Sequence, residues 1–168
     1  MTPDIFLSII DQGLRHLRAI GGPAITDGVR RELLTIALQE SGPDLNARYQ
    51  GSPADDPGPA RGFWQFEEGG GCVGVLTHPA SADLAAKTCL SCAVVATSSA
   101  TWRALEGNDI LAVSFARLLL FTDPAEIPHT QTAGWDCYVR CWRPGAPHPE
   151  TWTQNWRVAS EAVRRNPH

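Results

Sequence analysis

The run from residue 108 to 121, Asn-Asp-Ile-Leu-Ala-Val-Ser-Phe-Ala-Arg-Leu-Leu-Leu-Phe, constrains the fold more than any other part of the chain. Ile110, Leu111, Val113, Phe115, Leu118, Leu119 and Leu120 leave it apolar on most sides, and a helix apolar all round has to be enclosed by others. Asn108 supplies an N-cap oxygen and Asp123-Pro124 an exit, so the run predicts a buried central helix with its partners wrapped around it. Its apolar stretch is too short to cross a bilayer, and no other stretch is longer.

Enough flanking helix is present to do the wrapping. Residues 3–20 repeat Ile5, Phe6, Ile9, Ile10, Leu14, Leu17 and Ile20 at helical period, and Gly21-Gly22-Pro23 stops them. Thr26 or Asp27 caps the next helix, whose core run is 29–40, and Gly42-Pro43 closes it. Helical patterns return at 81–90, 97–105, 132–142 and 149–163, which makes about seven helices. Between them, Gly62-Phe63-Trp64-Gln65-Phe66 and Cys72-Val73-Gly74-Val75-Leu76 flank Glu67-Glu68-Gly69-Gly70-Gly71 and predict a short strand or β-hairpin near residues 62–76. With 168 residues the chain has room for one domain with a proper core, so 1–168 is read as a single, mainly α unit.

Composition removes several functions. A net charge of −4 provides no basic footprint for nucleic acid. The start, Met1-Thr2-Pro3-Asp4, lacks the basic region of a secretory signal, which predicts synthesis as a soluble cytoplasmic protein. Cys72, Cys89, Cys92, Cys137 and Cys141 form an odd set. Cys89 with Cys92 and Cys137 with Cys141 have spacings that can complete a four-thiolate zinc site, but no Gly-containing knuckle surrounds either pair, and free cysteines packing as small hydrophobes is the expectation. His78, His129 and His148 neighbour prolines, and no His-x-x-x-His or mixed Cys/His spacing appears. Neither a metal nor any other cofactor is predicted.

Chemistry enters at Glu40. Leu33, Ile36, Ala37 and Glu40 share one helix face, so this carboxylate points where the apolar side chains point. Loss of hydration disfavours its charged form and raises its pKa, as a general acid near neutral pH requires. Six Trp residues offer faces for sugar rings, and Trp64 is expected in an exposed, Gly-flanked turn.

The segment Ala37-Leu38-Gln39-Glu40-Ser41-Gly42, followed by a polar stretch and Pro59-Ala60-Arg61-Gly62-Phe63-Trp64-Gln65, resembles the two leading motifs of soluble lytic transglycosylases of the lysozyme-like superfamily. That family has a helix ending in Glu-Ser, a loop, and a Gly-x-Met-Gln strand motif. The resemblance covers residues 37–66 and implies an α+β lysozyme-like fold. It implies Glu40 as catalytic acid and base, with Ser41 supporting the loop as part of the substrate-binding set. Gly62 and Gln65 would line the sugar site, with Trp64 at the family's Met position. Residues 134–145, Gly-Trp-Asp-Cys-Tyr-Val-Arg-Cys-Trp-Arg-Pro-Gly, resemble the end of small phage and prophage proteins, some of them virion-associated murein-degrading enzymes. A virion or a pore would carry such an enzyme to the wall without a signal peptide.

One departure is plain. The family's Ala-Tyr-Asn motif is missing, and the nearest helix has Phe115 where Tyr would stand. Tyr138, in the later helix, is the candidate for that phenol, and Trp135, Tyr138 and Trp142 at helical spacing are candidates for an aromatic wall. The expected substrate is the peptidoglycan glycan strand, cut between N-acetylmuramic acid and N-acetylglucosamine, with other virion proteins as further partners. One carboxylate suffices for the anhydro-forming route. Hydrolysis with inversion needs a second, for which Asp55, Asp56, Glu67 and Glu68 are candidates. The alternative is a lysozyme-like domain that binds cell wall or builds the virion without chemistry.

Overall fold

The computed structural model describes residues 1–45 and 58–167. Among them the chain forms eight α-helices and one two-stranded antiparallel sheet. In order these are α1 (Pro3–Ala19), α2 (Asp27–Ser41), β1 (Ala60–Arg61), β2 (Phe66–Glu67), a π-helical turn (Glu68–Cys72), α3 (Val73–Thr77), α4 (Ala82–Ser91), α5 (Ser98–Leu105), α6 (Asp109–Thr122), α7 (Gln131–Trp142) and α8 (Pro149–Arg165). The expected mainly α architecture with a short hairpin is what the chain adopts.

α6 is the central helix, with every side chain from Leu111 to Leu120 buried. The Asn108 side chain accepts from the Leu111 amide at 3.0 Å, satisfying one of the amides a helix start leaves open. α1 lies against it at close range because Gly13 has no side chain: a Cβ there would fall 2.4 Å from Val113 Cβ. The two threonine caps Thr2 and Thr26 start α1 and α2 by accepting from the amides of Ile5 and Val29. α2 ends at Gly42, whose φ of +78° is a left-handed conformation that glycine adopts without steric cost.

α8 covers α2, and a buried guanidinium joins them to α1. Arg30 donates to both oxygens of Asp11 on α1 at 2.7 and 2.9 Å, to Asp27 Oδ1 at 2.9 Å, and to the Asn166 carbonyl at 2.9 Å. Pairing of this completeness is what allows a charge to be buried at all. The hydrophobic core is one contiguous cluster running through α1, α2, α6 and α8 and under the hairpin. No helix of the described residues is long and apolar enough to cross a membrane.

The hairpin is smaller than its sequence suggests. Ala60 pairs with Glu67 and Arg61 with Phe66, and the chain then turns away. The expected second arm, residues 72–76, is instead the helix α3 with its π-helical entry. Cys72 and Val75 are the two residues it buries, three apart, while Val73 is exposed. Burial at helical period outweighs the β-propensity of the valines.

Candidate active site

Glu40 sits in the last turn of α2, half-buried at the wall of a cleft of about 1010 Å³. Burial raises its pKa above the ordinary carboxylate value of 4.5, and a hydrogen bond from Tyr138 partly offsets the rise. Tyr138 reaches it from α7: its hydroxyl donates to Glu40 Oε1 at 2.6 Å. Burial and the charge of Glu40 push the phenol's own pKa up, so it remains a donor. Its ring is fixed by stacking on Trp152 of α8, with centroids 5.2 Å apart and planes at 20°.

The turn between β1 and β2 holds the opposite side of Glu40's helix end. Ser41 is buried, and its hydroxyl donates to the Phe63 carbonyl at 2.6 Å, tying the end of α2 to the turn. Gly62 adopts φ +72°, and a Cβ there would meet the Leu105 carbonyl at 2.7 Å. Gln65, at φ +49°, folds its side-chain amide back onto the Gly62 carbonyl at 2.8 Å and faces the cleft.

The candidate residues thus divide. Glu40, Gln65 and Tyr138 line the cleft, whereas Ser41 and Gly62 stand behind it. Ser41's hydroxyl is committed to Phe63, and Gly62 is enclosed against α5, so neither offers an atom to a sugar. Trp64 corrects the expectation of an exposed turn. It is completely buried, packs 5.5 Å from Phe6, and donates from Nε1 to the Leu33 carbonyl at 2.9 Å. The turn is wedged into the core by Phe63 and Trp64, and Trp64 presents its carbonyl rather than its ring to the cleft side, where Trp142 Nε1 donates to it at 2.9 Å. The aromatic wall is likewise shortened. Tyr138 and Trp142 line the cleft, while Trp135 turns away to meet the edge of Trp152 at 5.5 Å.

Of the candidate second carboxylates, Asp55 and Asp56 lie outside the described residues. Glu67 is exposed on the cleft rim, and Glu68 accepts from Ser98 away from the lining. A carboxylate not singled out from sequence is also there: Asp123, which follows α6. Burial opposes its charge, but two donations from Arg140, the Ala125 amide and the Cys141 thiol hold its pKa below the usual range. His78, His148, Arg140, Arg143 and the glycines Gly69–Gly71 also line the cleft. In sequence all of these except Arg140, which falls in the predicted helix 132–142, read only as loop punctuation. The proline and glycine clusters around them mark loops, and tertiary packing sets which way they face: α3 against α6 for the stretch 69–78, and α7 against α6 for 143–148.

The four-thiolate arrangement does not form among the described residues. Cys89 lies at the α4–α5 contact, its sulfur 3.5 Å from Thr101 Oγ1, whereas Cys137 and Cys141 cluster with Asp123. All five cysteines are free thiols. No family model matches the chain, and no curated protein or solved structure matches it either.

Proposed function

We propose that the protein cleaves the β-1,4 bond between N-acetylmuramic acid and N-acetylglucosamine in peptidoglycan, with Glu40 as general acid and then base. The observation that carries this reading is the pair Glu40–Tyr138 at the wall of a large cleft: a carboxyl group whose pKa burial raises, held by a phenol that donates to it. The resemblance of residues 37–66 to lytic transglycosylases supports it. The protonated carboxyl gives its proton to the glycosidic oxygen as the bond to the sugar breaks. The resulting carboxylate, stabilised by the Tyr138 hydroxyl, takes the proton of the muramyl 6-hydroxyl as that oxygen closes on the anomeric carbon. Gln65 and Trp142 at the cleft wall offer an amide and a ring edge to the sugar.

The anhydro-forming route is the one we propose because it asks for a single carboxylate, and Glu40 with the Tyr138 hydroxyl on it supplies that. A phage-borne setting, in which a virion or a lysis pore delivers the enzyme to the wall, follows from the resemblance of residues 134–145. The test is turbidity clearing of purified peptidoglycan by the wild type beside Glu40→Gln, with mass spectrometry of the released fragments. Clearing by the wild type alone, with 1,6-anhydro ends, is expected. Equal clearing by both proteins sinks the assignment of Glu40, and no clearing by either sinks the activity and favours a wall-binding or virion part. Reducing ends would leave the acid in place but replace the route.

A further inference from the structure

Asp123, Cys137 and Cys141 bring one oxygen and two sulfurs within 4.8 Å of one another. Cys137 and Cys141 are one turn apart on α7, with their sulfurs 4.0 Å from each other, and Cys141 Sγ lies 3.8 Å from Asp123 Oδ2. A tetrahedral zinc ion with Zn–S of about 2.3 Å and Zn–O of about 2.0–2.2 Å requires edges of about 3.8 Å between two sulfurs and about 3.5 Å between sulfur and oxygen. Two of the three edges are therefore within a few tenths of an ångström of such a tetrahedron before any side chain moves; the third, from Cys137 Sγ to Asp123, is within 4.8 Å and closes by up to about 1.3 Å on binding.

We propose that Asp123, Cys137 and Cys141 form a binding site for a thiophilic divalent cation of the zinc class, which fastens α7 to the end of α6. The surroundings suit the ion. Two thiolates and the Asp123 carboxylate bring three negative charges, Arg140 beside them brings one positive, and a divalent cation makes the cluster neutral. The Ala125 amide donates to Asp123 Oδ1 at 3.1 Å, while Oδ2 meets Cys141 Sγ and accepts from Arg140 Nη2 and Nε at 2.7 and 3.2 Å, so ion binding replaces at least one of these two guanidinium bonds. The neighbouring thiol, burial and the Asp123 charge all hold the proton on Cys137, while Arg140 opposes them. A doubly charged ion reverses that balance and releases two protons to solvent as the thiols bind. Cys141 and Asp123 border the cleft, so the fourth position is open to water from that side. Tyr138 follows Cys137 directly, so metal binding would also steady the helix from which the phenol reaches Glu40.

The inference stands independently of the cleavage reaction. Reduced full-length protein is titrated with Co²⁺, and thiolate-to-cobalt charge-transfer absorption is followed in the near ultraviolet. Uptake of about one equivalent, with bleaching by Zn²⁺, is expected. Cys141→Ser and Asp123→Asn should each weaken binding by more than tenfold, while Cys92→Ser, on α4's end, leaves it unchanged. Zn²⁺ should raise the melting temperature of the wild type and not that of Cys141→Ser, and circular dichroism checks that each variant is folded. Cys141 is half-buried, so its replacement tests the site even where Cys137→Ser fails to fold. Absence of the charge-transfer band, or binding that persists in Cys141→Ser, overturns the proposal.

Discussion

Replacing Tyr138 with Phe removes one oxygen and little else. The ring is almost fully buried, stacks on Trp152 and would keep that stack, so packing losses are small and the change isolates the bond to Glu40. A hydrogen bond to a charged acceptor has a net worth of about 1.5–3 kcal/mol and one between neutral groups about 0.5–1.5 kcal/mol. At 2.6 Å the observed bond belongs with the strong class once Glu40 is ionised. The penalty should therefore depend on pH. Glu40 has a folded pKa above 4.5, so the wild type is at full stability below that value and loses some as pH rises through the raised folded value. Without the phenol the carboxylate loses the donor it has among the described residues, its pKa rises further, and more stability is lost over the same ascent. For a domain of this size, where one kcal/mol moves the melting temperature by about 2–4 °C, the loss is about 1–6 °C near pH 4 and grows to about 3–12 °C as Glu40 ionises. Urea denaturation between about pH 4 and 9 measures it, with Glu40→Gln as a second background in which the pH dependence should vanish. If the same bond also holds Glu40 in the reacting state, turnover falls by about 10- to 150-fold. A penalty that is flat with pH, or undiminished when Tyr138→Phe is combined with Glu40→Gln, would refute the pairing as the source of the effect.

Three other outcomes are expected. Glu32 is fully buried on α2 beside Gly134, Trp156 and Cys137, and neither of its oxygens has a hydrogen-bond partner among the described residues. Burial raises its pKa well above the ordinary value, so Glu32→Met should stabilise the protein by about 1–3 kcal/mol at neutral pH, with the gain shrinking as pH falls and Glu32 protonates; urea melts at several pH values check this. Gly62→Ala places a Cβ against the Leu105 carbonyl at a positive φ, and thermal melts should show a loss of about 1–3 kcal/mol or more. Trp64→Ala should cost about 3–5 kcal/mol in chemical denaturation, while fluorescence titration of the folded fraction with a chitooligosaccharide leaves affinity unchanged, because the ring lies in the core and not in the cleft.

How far the sequence reveals these arrangements depends on the range over which the responsible forces act. The helices are legible because capping and periodicity are local: Asn108, Thr26 and Gly42 do in the fold what their chemistry requires anywhere. Glu40's inward direction is legible for the same reason, being a matter of three- and four-residue spacing along α2. Trp64 is misjudged because a Gly-flanked aromatic run looks the same whether its turn faces water or is driven into the core, and only Phe6 and the Leu33 carbonyl, far off in sequence, decide between them. Residues 72–76 are misassigned because a short apolar run, Cys-Val-Gly-Val-Leu, fits a strand or a short buried helix equally well. The cleft's other wall comes from the segments after α6 and α7, whose prolines and glycines announce loops but not what the loops face. Asp123 belongs to this class. As the residue before a proline it reads as a helix terminus, and its meeting with Cys137, Cys141 and Arg140 exists only in three dimensions.

The bond between Tyr138 and Glu40 spans 98 positions, and this separation has a consequence in time. At a synthesis rate of about 5–20 residues per second, a growing chain carries the Glu40 helix for roughly 5–20 s before the codon for Tyr138 is reached. α8, which covers α2 and supplies Trp152 to brace Tyr138, arrives later still. Throughout that interval the flank of α2 has no lid and the acid has no phenol, so a nascent chain holds no competent centre. The ribosome's own schedule thus keeps the proposed wall-cutting activity silent until α8 has been made.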